Sequence, residues 1–299
     1  MTDLFPGFAS QSILAEGAYI FVRTGGSGPP LLLLHGFPQT HMMWHRIAAQ
    51  LAERFTLVIA DLRGYGRSSS PLNSEDNYTY SKRAMGRDFF NVMSALGHHR
   101  FMVCGHDRGG RVAYRMALDE PTRVSRMALL NIVTTYDMWK AFDAGLAMNG
   151  YHWTFLAQDH PMPETMIGAN PQYYLDWTLA SWTASRDLSA FDETALADYR
   201  QGFTQAERLY AVCNDYRAGW TYDRTADEKD RDEGRMIQCP LQVLWGSHGI
   251  PGKGDAGPLE LWQPWCDQVS GGQVDCGHFL AEENPEGTLE GLVPFLEAE

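Results

Sequence analysis

The sequence is poor in positive charge and in cysteine. Its 299 residues include 24 Lys and Arg against 37 Asp and Glu, a formal net charge of −13. This excess of negative charge argues against nucleic acid as a partner, and it repels an anionic substrate at long range. The five cysteines have neither metal-site nor disulfide spacing and mostly follow or lie in apolar runs, so we expect buried thiols.

Long apolar segments are missing as well. No stretch approaches the ~18 apolar residues of a membrane-spanning helix, and the first residues show no basic segment followed by an apolar one. We find no internal repeat and no low-complexity tract. With 44% apolar and 20% charged residues, the composition is typical of a soluble globular protein. We expect a cytoplasmic protein with no membrane partner.

What is present is an alternation of short apolar strands with helical segments, typical of a mainly parallel α/β sheet. The predicted strands are 17–22, 31–34, 57–60, 101–104, 127–132, 241–245 and 273–276. The predicted helices are 41–53, 81–96, 109–118, 258–268 and 285–297.

The alternation stops between about 135 and 235, where Trp, Tyr, Met and charged residues follow helical spacing. We therefore predict an α/β core of residues 1–134 and 236–299 with a helical cap of residues 135–235. The charged run 227–234 is interpreted as a solvated connector.

The segment Gly105-His-Asp-Arg-Gly109 directly follows the predicted strand 101–104. It is a nucleophile elbow, G-x-S-x-G, with aspartate in place of serine. A carboxylate can attack a saturated carbon and form an alkyl-enzyme ester. Asp107 therefore predicts displacement of a leaving group from carbon, followed by hydrolysis. Arg108 and Arg111 beside it suggest an anionic substrate, although a lone motif of this kind is more often an ordinary Gly-rich turn.

Two further motifs complete the predicted chemistry. His35-Gly-Phe-Pro38 follows the strand 31–34, and the backbone N–H groups of Phe37 and Arg108 would form an oxyanion hole. His278 follows the last predicted strand, in the chain order of the triads that use this elbow. Its neutral imidazole would take the proton of the hydrolytic water.

Together, these motifs resemble the fluoroacetate (haloacetate) dehalogenase family of α/β-hydrolases, which is close to haloalkane dehalogenases and epoxide hydrolases. The matching segments span nearly the whole chain: His35-Gly-Phe-Pro-Gln-Thr40, Asp61-Leu-Arg-Gly-Tyr-Gly-Arg-Ser68, Gly105-His-Asp-Arg-Gly109 with Arg111, Tyr151-His-Trp153, Asp215-Tyr-Arg-Ala-Gly219 and Gly277-His-Phe279. The two neighbouring families usually carry Trp after the nucleophile, so Arg108 is the discriminating residue.

The resemblance implies an α/β-hydrolase fold, with a mainly parallel eight-stranded sheet flanked by helices and an inserted helical cap. It implies that Arg108 and Arg111 hold the substrate carboxylate, as planar guanidinium groups can. It also implies that His152, Trp153 and Tyr216 bind the leaving halide through three donors. No metal or organic cofactor is expected, and a homodimer stays open. Trp182 matches a cap residue near the pocket, with core packing as the alternative.

One position departs from the family pattern. The usual position of the triad acid is occupied by Asn131, whose amide would accept a hydrogen bond from the imidazole and fix its tautomer without supplying charge. Some relatives place the acid after the strand at 241–245, where this chain has Gly249. Asp255 follows a few residues later. A neutral orienter and a relocated acid both remain open.

The sequence therefore predicts a haloacid dehalogenase, a hydrolase that cleaves the carbon–halogen bond of small fluoroacetate-type anions through an Asp107 ester and yields glycolate and halide. One alternative is an epoxide hydrolase, for which Tyr151 and Tyr216 would be the acids. The other is a catalytically weak protein that binds a small carboxylate, which only Asn131 favours.

Overall fold

The computed structural model describes residues 3–249 and 257–298. Within them eight strands form one sheet in the order β1-β2-β4-β3-β5-β6-β7-β8. The strands are β1 Ala9–Leu14, β2 Tyr19–Gly25, β3 Pro30–Leu34, β4 Thr56–Ala60, β5 Phe101–His106, β6 Val124–Leu130, β7 Leu241–Gly246 and β8 Val269–Val274. Strand β2 pairs antiparallel with β1 and β4, and every other pair is parallel. The mainly parallel eight-stranded sheet is confirmed.

Helices cover both the core and the insertion. They are α1 His45–Ala52, α2 Lys82–Ala95, α3 Asp107–Asp119, α4 Thr135–Lys140, α5 Ala144–Asn149, α6 Tyr151–Leu156, α7 Met162–Gly168, α8 Pro171–Trp182, α9 Glu193–Phe203, α10 Ala206–Ala218, α11 Arg224–Asp232, α12 Pro258–Trp262, α13 Leu280–Glu283 and α14 Pro285–Glu297. Short 3₁₀ turns lie at His41–Trp44 and Tyr78–Tyr80, and a π-helical turn lies at Gly219–Asp223.

The central strands β3, β4, β5 and β6 are buried along almost their whole length. They consist of short apolar runs because helices cover both faces of a parallel sheet. Their carboxyl ends meet at one edge, where α/β folds of this kind place their ligands. Asp107, Asn131 and His35 all follow such strand ends.

Between β6 and β7 the regular elements of the described residues are all helical, α4 to α11 with the π-helical turn at Gly219–Asp223. The predicted helical insertion is confirmed, and the boundaries at 134/135 and 235/236 stay a prediction. The prediction of a solvated connector at 227–234 is wrong for two of its residues, although most of the others are exposed. Asp227 and Asp230 of α11 are buried and lie 3.1 and 2.5 Å from the guanidinium of Arg115 in α3. Two carboxylates three residues apart share one helix face and meet a buried cation there.

The edges of the sheet differ most from the prediction. Strand β1 was not predicted, since most of its residues are exposed and no apolar pattern marks it. Strand β8 runs over Val269–Val274 rather than 273–276, and its Ser-Gly-Gly centre carries little strand signal. Helix α12 ends at Trp262, earlier than predicted. All five cysteines are buried, as expected.

Candidate active site

The site is built around the sharp turn from β5 into α3. Asp107 is the first residue of α3 and has φ of +45°, a left-handed conformation that few non-glycine residues adopt. The flanking glycines permit it: a Cβ at Gly105 would lie 2.6 Å from the Gly109 carbonyl oxygen, and one at Gly109 would lie 2.3 Å from that of His35. The strained elbow therefore presents the Asp107 carboxylate at the helix N-terminus.

A cavity of about 340 Å³ opens above this carboxylate. Core residues that line it include Asp107, Arg111, Asn131 and His278, and cap residues include Tyr151, His152, Trp153 and Trp182. The cavity thus lies where the helical insertion meets the carboxyl edge of the sheet. Arg108, Tyr216 and Phe37 do not line it.

The Asp107 carboxylate is held in its ionised form. The backbone N–H of Phe37 donates to its Oδ1 at 2.8 Å. Burial alone would raise the pKa of Asp107, but the imidazoles of His278 and His106 and the guanidinium of Arg108 lower it below its usual value. The sequence predicts the backbone N–H of Phe37 as an oxyanion-hole donor, and in the structure this N–H contacts the Asp107 carboxylate.

His278 is fixed by its neighbours on the loop that follows β8. Its backbone N–H donates to the Trp182 carbonyl at 2.9 Å, and its own carbonyl lies 2.9 Å from Nε2 of His106. Glu283 accepts from the flanking N–H groups of Gly277 and Phe279. Burial, followed by the His106 imidazole, lowers the pKa of His278 to about 3, so its ring is neutral near pH 7.

Asn131 lies against His278, but its amide points the opposite way from the expectation. The amide Nδ2 lies 2.5 Å from Nδ1 of His278, and the amide Oδ1 accepts from the Gly246 N–H at 3.0 Å. The predicted acceptance of an imidazole hydrogen bond by Asn131 is therefore wrong for this geometry, because the amide Nδ2 and not Oδ1 lies against the ring. The alternative acid, Asp255, lies outside the described residues.

Arg108 also differs from the simple expectation. Its Nη2 donates to Asp215 Oδ1 at 2.7 Å and its Nε to Oδ2 at 3.0 Å, with a further bond to the Asp215 carbonyl. Lys82 and the Tyr65 hydroxyl contact the same carboxylate. Only Nη1 of Arg108 lacks a hydrogen-bond partner within the described structure. The carboxylate of Asp215 thus already occupies most of this guanidinium.

Arg111 has a different environment. It is buried, and its Nη1 donates to the Val133 carbonyl at 2.9 Å and to the Thr135 hydroxyl at 3.3 Å. Its guanidinium lies 4.4 Å from the centre of the Trp153 ring. Within residues 3–249 and 257–298, no carboxylate forms an ion pair with it. A buried cation at a cavity wall that forms no ion pair with a described carboxylate favours an anionic ligand there.

The three residues predicted to bind halide come together in the insertion. The rings of His152 and Tyr216 are 5.8 Å apart, and those of Trp153 and Tyr216 are 6.0 Å apart. His152 and Trp153 line the cavity, whereas the Tyr216 hydroxyl is buried beside it and has no partner within the described residues. Burial lowers the pKa of His152 to about 3, so this imidazole is neutral and keeps one N–H donor.

Sequence reasoning missed the residues that hold these groups in place. Asp215 anchors Arg108, Lys82 contacts the same carboxylate, and the ring of His106 lies 4.6 Å from that of His278 at a tilted angle. Trp182, which the sequence did indicate, lies 4.5 Å from His152 and 5.1 Å from His278. Trp182 belongs to the cavity wall, which decides between its two interpretations. Asp215 opens the segment Asp215-Tyr-Arg-Ala-Gly219, which matches the family, but nothing in the neighbouring sequence marks its charge as buried.

Among the described residues no group of three or more His, Cys, Asp or Glu side chains is placed to hold a metal ion. No helix in this part of the chain has the length and apolar character needed to cross a bilayer.

The fold and the elbow define the class of protein. A model of the alpha/beta hydrolase fold matches residues 29–285, and the chain belongs to this family. Within it, the chain is 41% identical over 293 residues to fluoroacetate dehalogenase from Burkholderia sp., covering 98% of this chain and 95% of the relative. The resemblance found in the motifs is confirmed.

Other relatives belong to the epoxide hydrolases. A soluble epoxide hydrolase from Corynebacterium sp. (strain C12) is 31% identical, covering 94% of this chain and 95% of the relative. Among solved structures, a candidate α/β hydrolase from Nostoc sp. PCC 7120 is 48% identical with a TM-score of 0.94, covering 98% of this chain and 99% of that one. A candidate epoxide hydrolase from Pseudomonas aeruginosa is 44% identical with a TM-score of 0.92, covering 99% and 97%. These relatives support a hydrolase.

Proposed function

We propose that this hydrolase is a haloacid dehalogenase that acts on small fluoroacetate-type anions. One observation carries the proposal: Arg111 is a buried guanidinium at the wall of the cavity that Asp107 faces, and the described residues offer it no carboxylate partner. A negatively charged substrate would supply that missing charge beside the nucleophile. The 41% identical fluoroacetate dehalogenase is in agreement with this substrate class.

In the first step, Asp107 attacks the carbon that bears the halogen. A bond forms between a carboxylate oxygen and this carbon, and the carbon–halogen bond breaks with its electron pair leaving on the halide. Arg111 and the free Nη1 of Arg108 would orient the substrate carboxylate. The donors of His152, Trp153 and Tyr216 would stabilise the charge that develops on the leaving halide.

In the second step, water attacks the ester carbonyl of Asp107. The N–H groups of Phe37 and Arg108 would stabilise the tetrahedral oxyanion. His278 would receive the water proton, and the departing glycolate oxygen takes up a proton as the carboxylate of Asp107 is restored. The sum is one haloacetate anion and one water converted to one glycolate anion, one halide ion and one proton.

Epoxide hydrolysis is the second candidate, because a 31% identical relative is a soluble epoxide hydrolase. That chemistry would require acids beside Asp107 that protonate the epoxide oxygen. Tyr151 lines the cavity, but Tyr216 does not, and Tyr216 carries the hydroxyl buried behind Arg108 and Trp153. Each pair thus has one member at the cavity wall, Tyr151 or Arg111. Arg111 favours the haloacid, because it is a buried cation with which no described carboxylate forms an ion pair. A weak carboxylate-binding protein would share Arg111 but release no halide.

The decisive experiment measures halide release from fluoroacetate and chloroacetate, and diol formation from a small epoxide, with Asp107→Asn as the inactive control. We expect halide from the two acids and little diol. When a single turnover is run in water labelled with heavy oxygen, the label should enter the carboxylate of Asp107 rather than glycolate. Diol without halide would favour the epoxide hydrolase, and the absence of both products would favour a binding protein.

A further inference from the structure

The direction of the Asn131 side chain is set by the sheet. Its backbone N–H donates to the Leu244 carbonyl of β7 at 2.8 Å, which continues the β6–β7 ladder beyond the end of β6. The next donor of β7, the Gly246 N–H, bonds to the amide Oδ1 of Asn131 at 3.0 Å. The side-chain oxygen thus serves as the acceptor for a buried ladder N–H.

This bond decides which half of the amide faces the imidazole. With Oδ1 on Gly246, the NH₂ group lies 2.5 Å from Nδ1 of His278. An amide NH₂ only donates, so Nδ1 must present its lone pair. The reversed amide would place two donors, NH₂ and the Gly246 N–H, against each other in a buried position, where an unpaired donor is costly.

A neutral imidazole carries one N–H. Because Nδ1 is the acceptor, the proton belongs on Nε2, the nitrogen that has no partner within the described residues. Burial and the neighbouring His106 lower the pKa of His278 to about 3, so a second proton is not held near pH 7. The base predicted for ester hydrolysis therefore starts with its reactive nitrogen already protonated.

We propose that Asn131 is a positioning residue that holds His278 in the Nε2–H tautomer and thereby makes hydrolysis of the Asp107 ester the slow step. The tautomer stands on the geometry alone, and the slow ester rests on the proposed function. To accept the water proton at Nε2, the ring must first move its own proton to Nδ1. That shift requires the amide to turn and the Gly246 N–H to lose its acceptor.

The displacement step needs no base, so Asn131 leaves it unaffected. The first halide is released, and the chain then holds the alkyl ester on Asp107. In a serine-protease triad, replacing the acid by its amide imposes the wrong tautomer and slows turnover by about 10⁴-fold. An aspartate at 131 would accept from both the Gly246 N–H and an Nδ1–H, because a carboxylate only accepts.

Nitrogen NMR of protein labelled at histidine tests the tautomer directly and needs no substrate. The His278 resonances are assigned by their loss in His278→Gln. In the wild type we expect a bare Nδ1 and a protonated Nε2, and in Asn131→Asp the reverse. Asn77→Asp is the matched control, since Asn77 also has a positive φ (63°) but lies outside the cavity wall. A protonated Nδ1 in the wild type overturns the proposal.

Rapid quenching then tests the kinetic consequence. With fluoroacetate or chloroacetate, the wild type should release a burst of one halide per chain and accumulate an adduct visible by intact mass. Asn131→Asp should leave the burst rate unchanged and speed adduct decay by about 10²–10⁴-fold. Decay at the same rate in both proteins overturns the assignment of the slow step. No halide from either protein refutes the proposed function, while the NMR result still decides the tautomer.

Discussion

Replacing Asp215 by asparagine is the sharpest test of the charge arrangement behind the nucleophile. The Asp215 carboxylate is fully buried and accepts from Arg108 at 2.7 and 3.0 Å, from the Tyr65 hydroxyl at 2.8 Å and from Lys82. Arg108, next in sequence to Asp107, holds its position through this contact. Its pKa is raised because the neighbouring Asp215 carboxylate outweighs the opposing effect of burial.

The expected cost of Asp215→Asn is about 3–5 kcal/mol in the free energy of unfolding, the usual cost of leaving a buried charge without its partner. Two cations, Arg108 and Lys82, then face each other without this carboxylate. Removing one of them should relieve the repulsion. The cost of Lys82→Met should therefore fall by about 0.5–3 kcal/mol when Asp215→Asn is already present.

This coupling is measured by urea denaturation of four proteins, namely the wild type, the two single variants and the double variant. The differences in the free energy of unfolding are read from the denaturation midpoints, provided that the slope is the same in all four. The matched control is Asp176→Asn. It removes a carboxylate that lies 2.8 Å from Arg200, a distance between the 2.7 and 3.0 Å of the Arg108 pair, but both side chains are partly exposed. That change should cost about 0–1 kcal/mol. A cost for Asp215→Asn as small as the control, or strictly additive effects of the two changes, would refute the reasoning.

Three more predictions follow from the site and its support. Arg111→Gln should cost about 2–5 kcal/mol of transition-state binding for chloroacetate and little for neutral chloroacetamide; equal losses in kcat/KM on both would contradict the carboxylate role. Tyr216→Phe should slow fluoride release by about 10²-fold and bromide release less, measured in single turnovers, because fluoride leaves poorly; identical effects would argue against halide contact. Burial raises the pKa of Glu282 from 4.5 to about 8, so the folded chain keeps a proton that the unfolded chain has lost between these values. The free energy of unfolding should therefore fall as pH rises from about 4.5 to 8. Glu282→Gln should make this fall smaller, measured as urea midpoints across the pH range. The same pH profile in both proteins would show that Glu282 is ionised in the folded chain.

The central fold could be predicted because its signals are local. Strands such as β3 and β5 are short apolar runs bounded by turn residues, and the glycines around Asp107 mark the elbow at the strand end. At the sheet edges the same logic fails, since β1 is exposed and pairs only with β2. Its place is decided by backbone hydrogen bonds to β2, which leave no hydrophobic pattern in the sequence.

The site divides in the same way. Asp107, His278 and Arg111 could be named because each is attached to a recognisable strand end or helix start. Their partners lie far away in the chain: Asp215 is 107 residues from Arg108. A buried carboxylate and a solvated one look alike in sequence. Only the structure therefore shows that Asp215 binds the guanidinium of Arg108.

Asn131 shows why even a correctly located residue can be given the wrong role. Amide and carboxylate have nearly the same shape, so either fits between β7 and His278. A carboxylate offers only acceptors and can serve both the Gly246 N–H and an imidazole N–H. An amide has a single acceptor oxygen, and the bond from the Gly246 N–H at 3.0 Å turns that oxygen toward β7 and the NH₂ group toward the imidazole. The Gly246 N–H of the neighbouring strand thus fixes the Asn131 amide with its NH₂ group toward His278. Through this one side chain, the sheet influences which nitrogen of the imidazole carries the proton.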